Sequence, residues 1–284
     1  MAAKKWLAFA ADASSFGYDG ANLKKNWARL HACDQEPYPD AKKIAALMAD
    51  DASLKKIKKG DAAVVAAELE QAWRSFHQGE FQDAFKRGDA LGAFGAVVAA
   101  KSAGIYASYL CEDEAEKKTL LQEAAERCEV ALALLPEDAN LHYFHAFALG
   151  RYSQCISITK ALAQGLGGKI KNSLKTALEL SPKHAEAHLA MAMYHAEIIN
   201  KIGGMIGKLT YGASADEAGK LLEASRKLAP KSPVVYLESA RGLLLLHGKK
   251  KTAEAAALFE QASALKPVDA MESLDQQAAV DALE

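Results

Sequence analysis

Four stretches of the chain share one phrase: LLPEDANLH (Leu134 to His142), LSPKHAEAH (Leu180 to His188), LAPKSPVVY (Leu228 to Tyr236) and LKPVDAMES (Leu265 to Ser273). Each closes one helical pattern, places a proline, and opens another pattern a few residues on. Proline suits such a junction, because a helix start leaves its missing N–H without consequence. A phrase that returns at intervals of several tens of residues marks an array of stacked helix pairs. Repeat arrays bind partners along a surface built from successive units and seldom perform chemistry.

Outward from the prolines, apolar residues recur at helical spacing from Asp61 onward, amid abundant alanine, leucine, lysine and glutamate. No alternating β-branched run predicts a strand. The pattern predicts helices over 64–77, 91–110, 114–135, 140–162, 169–180, 185–202, 215–228, 234–247 and 252–265. The first sixty residues read differently. Phe16 to Gly20 and Glu36 to Asp40 are turn-forming, with short helices expected around Leu23–Cys33 and Ala41–Met48. The expected organisation is an irregular helical N-terminal cap over 1–60 and a repeat domain over 61–284.

The composition is that of an ordinary soluble chain: half the residues are apolar, a quarter are charged, and the formal net charge is −1. That balance gives no electrostatic case for a nucleic-acid partner. The lysine runs at Lys55 to Lys59 and Lys249 to Lys251 read as solvated helix ends and loops. Cys33, Cys111, Cys128 and Cys155 form no CxxC pair, which argues against a zinc site or disulfide framework and fits a reducing, cytoplasmic setting. No apolar run approaches the roughly 18 residues of a membrane span. The run Trp6 to Ala11 is just short of a signal-peptide core and reads as unprocessed.

The fold this pattern resembles is the tetratricopeptide repeat. That repeat asks for a proline, a large ring six residues on, and a small residue four beyond that. Pro136, His142 and Ala146 comply, as do Pro182, His188 and Ala192, and Pro230, Tyr236 and Ala240. Gly79-Glu80-Phe81 with Ala84 resembles the middle of a further unit. The prolines stand 46, 48 and 37 residues apart, so two units are enlarged, at 151–168 and 197–214, by glycine-rich insertions. Enlarged units of this kind, with Leu149-Gly150-Arg151-Tyr152-Ser153-Gln154 and the following ALELSPKHAEAH, resemble the regulator-of-microtubule-dynamics family over roughly residues 115–284. The resemblance implies an all-α solenoid of tetratricopeptide-like helix pairs with a divergent N-terminal cap. Eukaryotic members of that family carry membrane anchors and are linked to microtubules and to lipid binding. No such anchor is legible here.

The resemblance also implies a concave groove lined by fixed positions of each first helix. Carried onto this chain, they are Asn140, Tyr143, Phe147 and Arg151, then Glu186, Leu189, Met193 and Glu197, then Leu237 and Arg241. Aromatic and methionine side chains there suit a protein or peptide segment. The leading expectation is therefore a non-catalytic scaffold that binds a protein segment. The alternative is a carrier of an apolar small molecule or lipid, in a groove closed by the insertions.

A metal protein or enzyme is the least favoured reading. His184, His188 and His195 fall near one helical face, but His188 and His142 occupy the repeat's ring slot. No GxSxG, P-loop or HExxH motif is present, and no cofactor is expected. Gly165-Leu166-Gly167-Gly168-Lys169 reads as a flexible turn without the strand a phosphate loop requires.

Overall fold

A computed structural model describes residues 5–9 and 16–284. The described residues form helices and connecting turns, with no strand. The helices are α1 (Asn22–Leu30), α2 (Ala41–Asp50), α3 (Ala62–His77), α4 (Phe81–Asp89), α5 (Ala96–Tyr109), α6 (Glu114–Leu132) and α7 (Ala139–Gln154). They continue with α8 (Ile158–Ala163), α9 (Leu166–Leu180), α10 (Ala185–Ile202), α11 (Gly204–Tyr211) and α12 (Ala215–Leu228), then α13 (Pro233–His247), α14 (Thr252–Ala264) and α15 (Ala270–Asp281).

The repeated phrase works as punctuation. The residue two after each proline is a helix N-cap: Asp138, His184, Ser232 and Asp269. Three of the four cap with their side chains. Asp138 accepts from the Leu141 N–H, His184 Nδ1 from Ala187 and Asp269 from Glu272. Each satisfies a donor the first turn leaves orphaned. Six residues after the proline, a ring reaches back to the proline's own carbonyl. His142 Nε2 and His188 Nε2 lie 2.9 Å from the Pro136 and Pro182 oxygens, and the Tyr236 hydroxyl donates to Pro230 at 3.0 Å. The ring thus ties each first helix to the turn that precedes it.

The chain divides into two compact units. One comprises residues 1–27 and 36–155, the other 28–35 and 156–284. In the first unit α3, α4, α5, α6 and α7 pack in succession, α2 lies on α3, and α5 also meets α7. Its core is aromatic around Trp73 and Phe76, both buried, with Trp27, His77 and Phe81 packed edge or face against them. Trp6 stacks on Tyr106 at 4.3 Å in the same unit. The run 6–11, read as an unprocessed start, is described only as far as Phe9; its residues 10 and 11 lie outside the described residues. The helix expected over 91–110 begins only at Ala96. Gly88 and Gly95 bring the chain together so closely that residues 92–95 form a short 3-10 turn instead.

In the second unit α10 packs on α9, α12 and α13, while α13 packs on α14 and α15. The alanine positions are contact points. Ala192 is buried with Leu189, Ala218 and Leu222, and Ala240 with Leu237, Ala255, Phe259 and Ala262. Ala146, in the first unit, is buried on α7. The helix expected over 140–162 stops at Gln154. The two insertions fold into short helices of their own, α8 and α11. Neither of these helices adds a large apolar side chain to the core: α8 buries no residue, and α11 buries only Gly207.

The irregular N-terminal stretch serves both units. Leu23, Trp27, Ile44, Met48 and Leu54 are buried in the first. Residues 28–35 belong to the second. There Cys33 packs with Ala185, Ala229 and Val235, and its carbonyl accepts the Glu186 N–H at 3.2 Å. Arg29 forks onto Glu272 at 2.6 and 2.8 Å and also donates to the Lys231 carbonyl. His31 and Asp34 pair at 2.9 Å with both side chains buried.

Candidate functional site

The side chains expected to line a groove divide by burial. Asn140, Tyr143, Glu186, Leu189 and Leu237 are buried, whereas Phe147, Arg151, Met193, Glu197 and Arg241 keep part of their surface in solvent. Within the first unit, Asn140 Nδ2 donates to the Glu36 carboxylate at 2.6 Å. Tyr143 lies edge-on to Phe144 at 4.7 Å, and the Phe147 ring closes on Gly104 of α5, where any Cβ would meet it. Arg151 lays its guanidinium over the Phe147 ring at 5.5 Å, a cation–π contact.

Within the second unit, Leu189 and Leu237 are core side chains. Leu189 packs toward α12, Leu237 toward α14. Met193 fills the space above Gly242, its sulfur 3.2 Å from where a Cβ on that glycine would stand. Next to that glycine in sequence, Arg241 is held by buried Glu238 at 2.7 Å, and one turn beyond Met193, Glu197 faces Lys201 at 3.5 Å. Met193 therefore packs in the α10–α13 seam at Gly242, while Arg241 and Glu197 each pair with a residue of their own helix. The first turns of the same two helices are covered by residues 28–35, through Cys33 against Ala185, Val234 and Val235.

The histidines have structural roles. His184 is wholly buried as the α10 cap, and His188 bonds to its proline. His142 and His188 are half-buried rather than enclosed, because the ring lies over a turn and not inside a helix interface. Replacing His188 with tyrosine should leave the melting temperature within a few degrees of the parent, since Tyr236 makes the same bond in the same slot. A collapse of the melt would show that the slot is not shared. Among the described residues no three His, Cys, Asp or Glu side chains are grouped to hold a metal ion.

His195 is buried beside Tyr194, and its Nδ1 has no hydrogen-bond partner. Burial pushes its imidazole below the ordinary 6.5, the Lys171 cation adds to this, and Glu217 opposes it. The unfolded chain then binds more protons than the folded one as pH falls from about 6.5 toward the depressed value, so stability declines over that window. Urea unfolding at neutral and mildly acidic pH should show a smaller decline for His195→Phe than for the parent.

Sequence reasoning missed two polar features. Lys101 is buried in the first unit with its ammonium 5.9, 5.3 and 5.7 Å from the rings of Trp73, Phe76 and Phe144. A lone lysine in the apolar run Ala96 to Ala107 was the available signal. The other is the 28–35 clasp, whose partners are scattered through the chain.

Stacked helix pairs, a proline-anchored ring in three units and a seam between successive first helices define a tetratricopeptide-like repeat protein. The likeness to a thermophilic tetratricopeptide-repeat protein of Thermus thermophilus agrees with that class. Its structure matches at 17% identity with a TM-score of 0.53, over 76% of this chain and 98% of that one. The family model described as Regulator of microtubule dynamics protein 1-3 matches residues 97–284, and the chain belongs to that family. The match begins within α5, upstream of the enlarged units that suggested it. No curated protein sequence matches the chain. No helix among the described residues is long and apolar enough to cross a membrane.

Proposed function

We propose that the chain is a non-catalytic scaffold, and that its second unit binds a protein segment along the α10–α13 seam. The observation that carries this reading is the chain's own segment 28–35. It lies on the first turns of α10 and α13 and is held by a backbone hydrogen bond from Glu186, by apolar contact at Cys33 and by the Arg29 fork. A surface that holds one irregular segment in this way offers the same kind of contact to another. Farther along, Met193 supplies adaptable apolar area, while Glu197 and Arg241 supply opposite charges that fix direction. In the first unit Phe147 and Arg151 form a second, separate element of the same character.

The carrier reading requires the insertions to close over an apolar space. Met205 and Leu209 of α11 are instead 87% and 89% exposed, which weighs against it. The scaffold reading is tested by purifying partners on the immobilised parent and on a Met193→Ala/Arg241→Ala variant. Affinity for recovered partners should fall about tenfold, as expected when an anchor and an orienting charge are removed, with little change in melting temperature. Unchanged partner binding would place the binding surface elsewhere. A melt far below the parent would make these side chains core.

A further inference from the structure

The two insertions share a property that the scaffold reading does not use. In α11 (Gly204–Tyr211), Met205, Ile206 and Leu209 stand at i, i+1 and i+4 and so form one apolar stripe along one side of the helix. That stripe faces outward: Met205 is 87%, Ile206 58% and Leu209 89% exposed. In α8, Ile158 and Leu162 are also exposed, at 46% and 50%. The two insertions meet α9. α8 packs against it, the Tyr211 ring presses on Gly167, and Lys171 Nζ donates to the Tyr211 carbonyl at 2.7 Å.

Charge is segregated in the same place. Residues 156–178 and 198–215 contain no aspartate or glutamate but hold Lys160, Lys169, Lys171, Lys175, Lys201 and Lys208, in a chain whose net charge is −1. Carboxylates stand only at the borders, where Glu197 faces Lys201 and Glu179 faces Lys175. Glycines with positive φ, Gly203 at 82° and Gly212 at 66°, bracket α11, so the chain turns sharply at both ends and presents the helix as a ridge.

We infer that α11, with α8 beside it, docks the second unit onto the surface of an anionic lipid bilayer. A protruding apolar ridge needs a medium that deforms around it. Lysines beside such a ridge are placed to meet anionic headgroups, while the stripe enters the acyl boundary. Charge complementarity selects a bilayer bearing negative lipids over a neutral one. The ridge is convex, whereas a peptide segment would seek a groove.

The test is co-sedimentation of the full chain with vesicles of phosphatidylcholine alone and of phosphatidylcholine mixed with phosphatidylserine. The parent should partition onto the mixed vesicles and not onto the neutral ones, and high salt should weaken the binding. A Met205→Ser/Leu209→Ser variant should lose about tenfold or more in partition, because it removes most of the inserting area. Val130→Ser, which alters an exposed apolar side chain of the first unit, should bind as the parent does. Circular dichroism confirms that the variants remain folded. The proposal fails if the parent ignores anionic vesicles or if the double variant binds them unchanged. It also fails if light scattering shows the parent to be a dimer that the double variant dissociates, since the ridge would then be an interface between copies.

Discussion

Arg29→Ala is expected to destabilise the second unit by about 3 kcal/mol, the scale on which removing one partner of a largely buried ion pair acts. The Glu272 side chain is only 10% exposed, and both its oxygens take hydrogen bonds from Arg29. Burial already pushes this carboxyl above its usual range, with nearby Asp269 adding to the effect, while the Arg29 hydrogen bonds pull it down. Without the guanidinium, an ionised Glu272 would remain buried with only the Val268 N–H for support. A carboxyl raised in the folded state binds its proton more readily there than in the unfolded chain, so acid relieves the strain. The deficit of Arg29→Ala should therefore shrink as pH falls toward 4.5, the ordinary value for this group. Urea melts at neutral and acidic pH measure both effects. An Arg29→Met/Glu272→Gln variant, which removes the charges together, should recover part of the loss. Equal deficits at both pH values would show that Arg29 acts through packing alone.

Gly95→Ala should be as costly for the first unit, at about 3 kcal/mol. A Cβ on Gly95 would lie far inside van der Waals contact distance of the Gly88 carbonyl oxygen, and one on Gly88 would stand 2.7 Å from the Gly95 carbonyl. Both clashes are with backbone, so α4 would have to move from the start of α5. The contrast is Gly150→Ala or Gly168→Ala. Each added methyl there meets nothing within 4 Å, neither residue has a positive φ, and alanine favours helix. Those two variants should equal or exceed the parent in thermal stability.

The architecture was legible because the punctuation is local. A proline, a cap two residues on, a ring six on and an alanine ten on can each be read from the chain, and each does its work within about three turns of helix. The enlargement of two units was legible in the proline spacing. What the insertions do was not. Spacing shows that Met205, Ile206 and Leu209 share a stripe, but whether the stripe turns inward or outward is decided by the glycines on either side. The burial of the expected groove positions was not legible, for a related reason. Position in the repeat places Leu189 and Leu237 on first helices, yet α12 and α14 cover them, and Asn140 is taken by Glu36 from the N-terminal stretch. Segment 28–35 carries no repeat signal. Its place depends on Lys231, Ser232 and Glu272, some two hundred residues away.

The proposed binding is that of a protein segment along α10 and α13. Its most direct test is amide hydrogen exchange on the full chain, with and without a peptide selected against it from a displayed random library. New protection is expected in the α10 and α13 stretches around Met193, Glu197 and Arg241, and none in α14. Protection confined to other helices, or a library that yields no binding peptide, would contradict it.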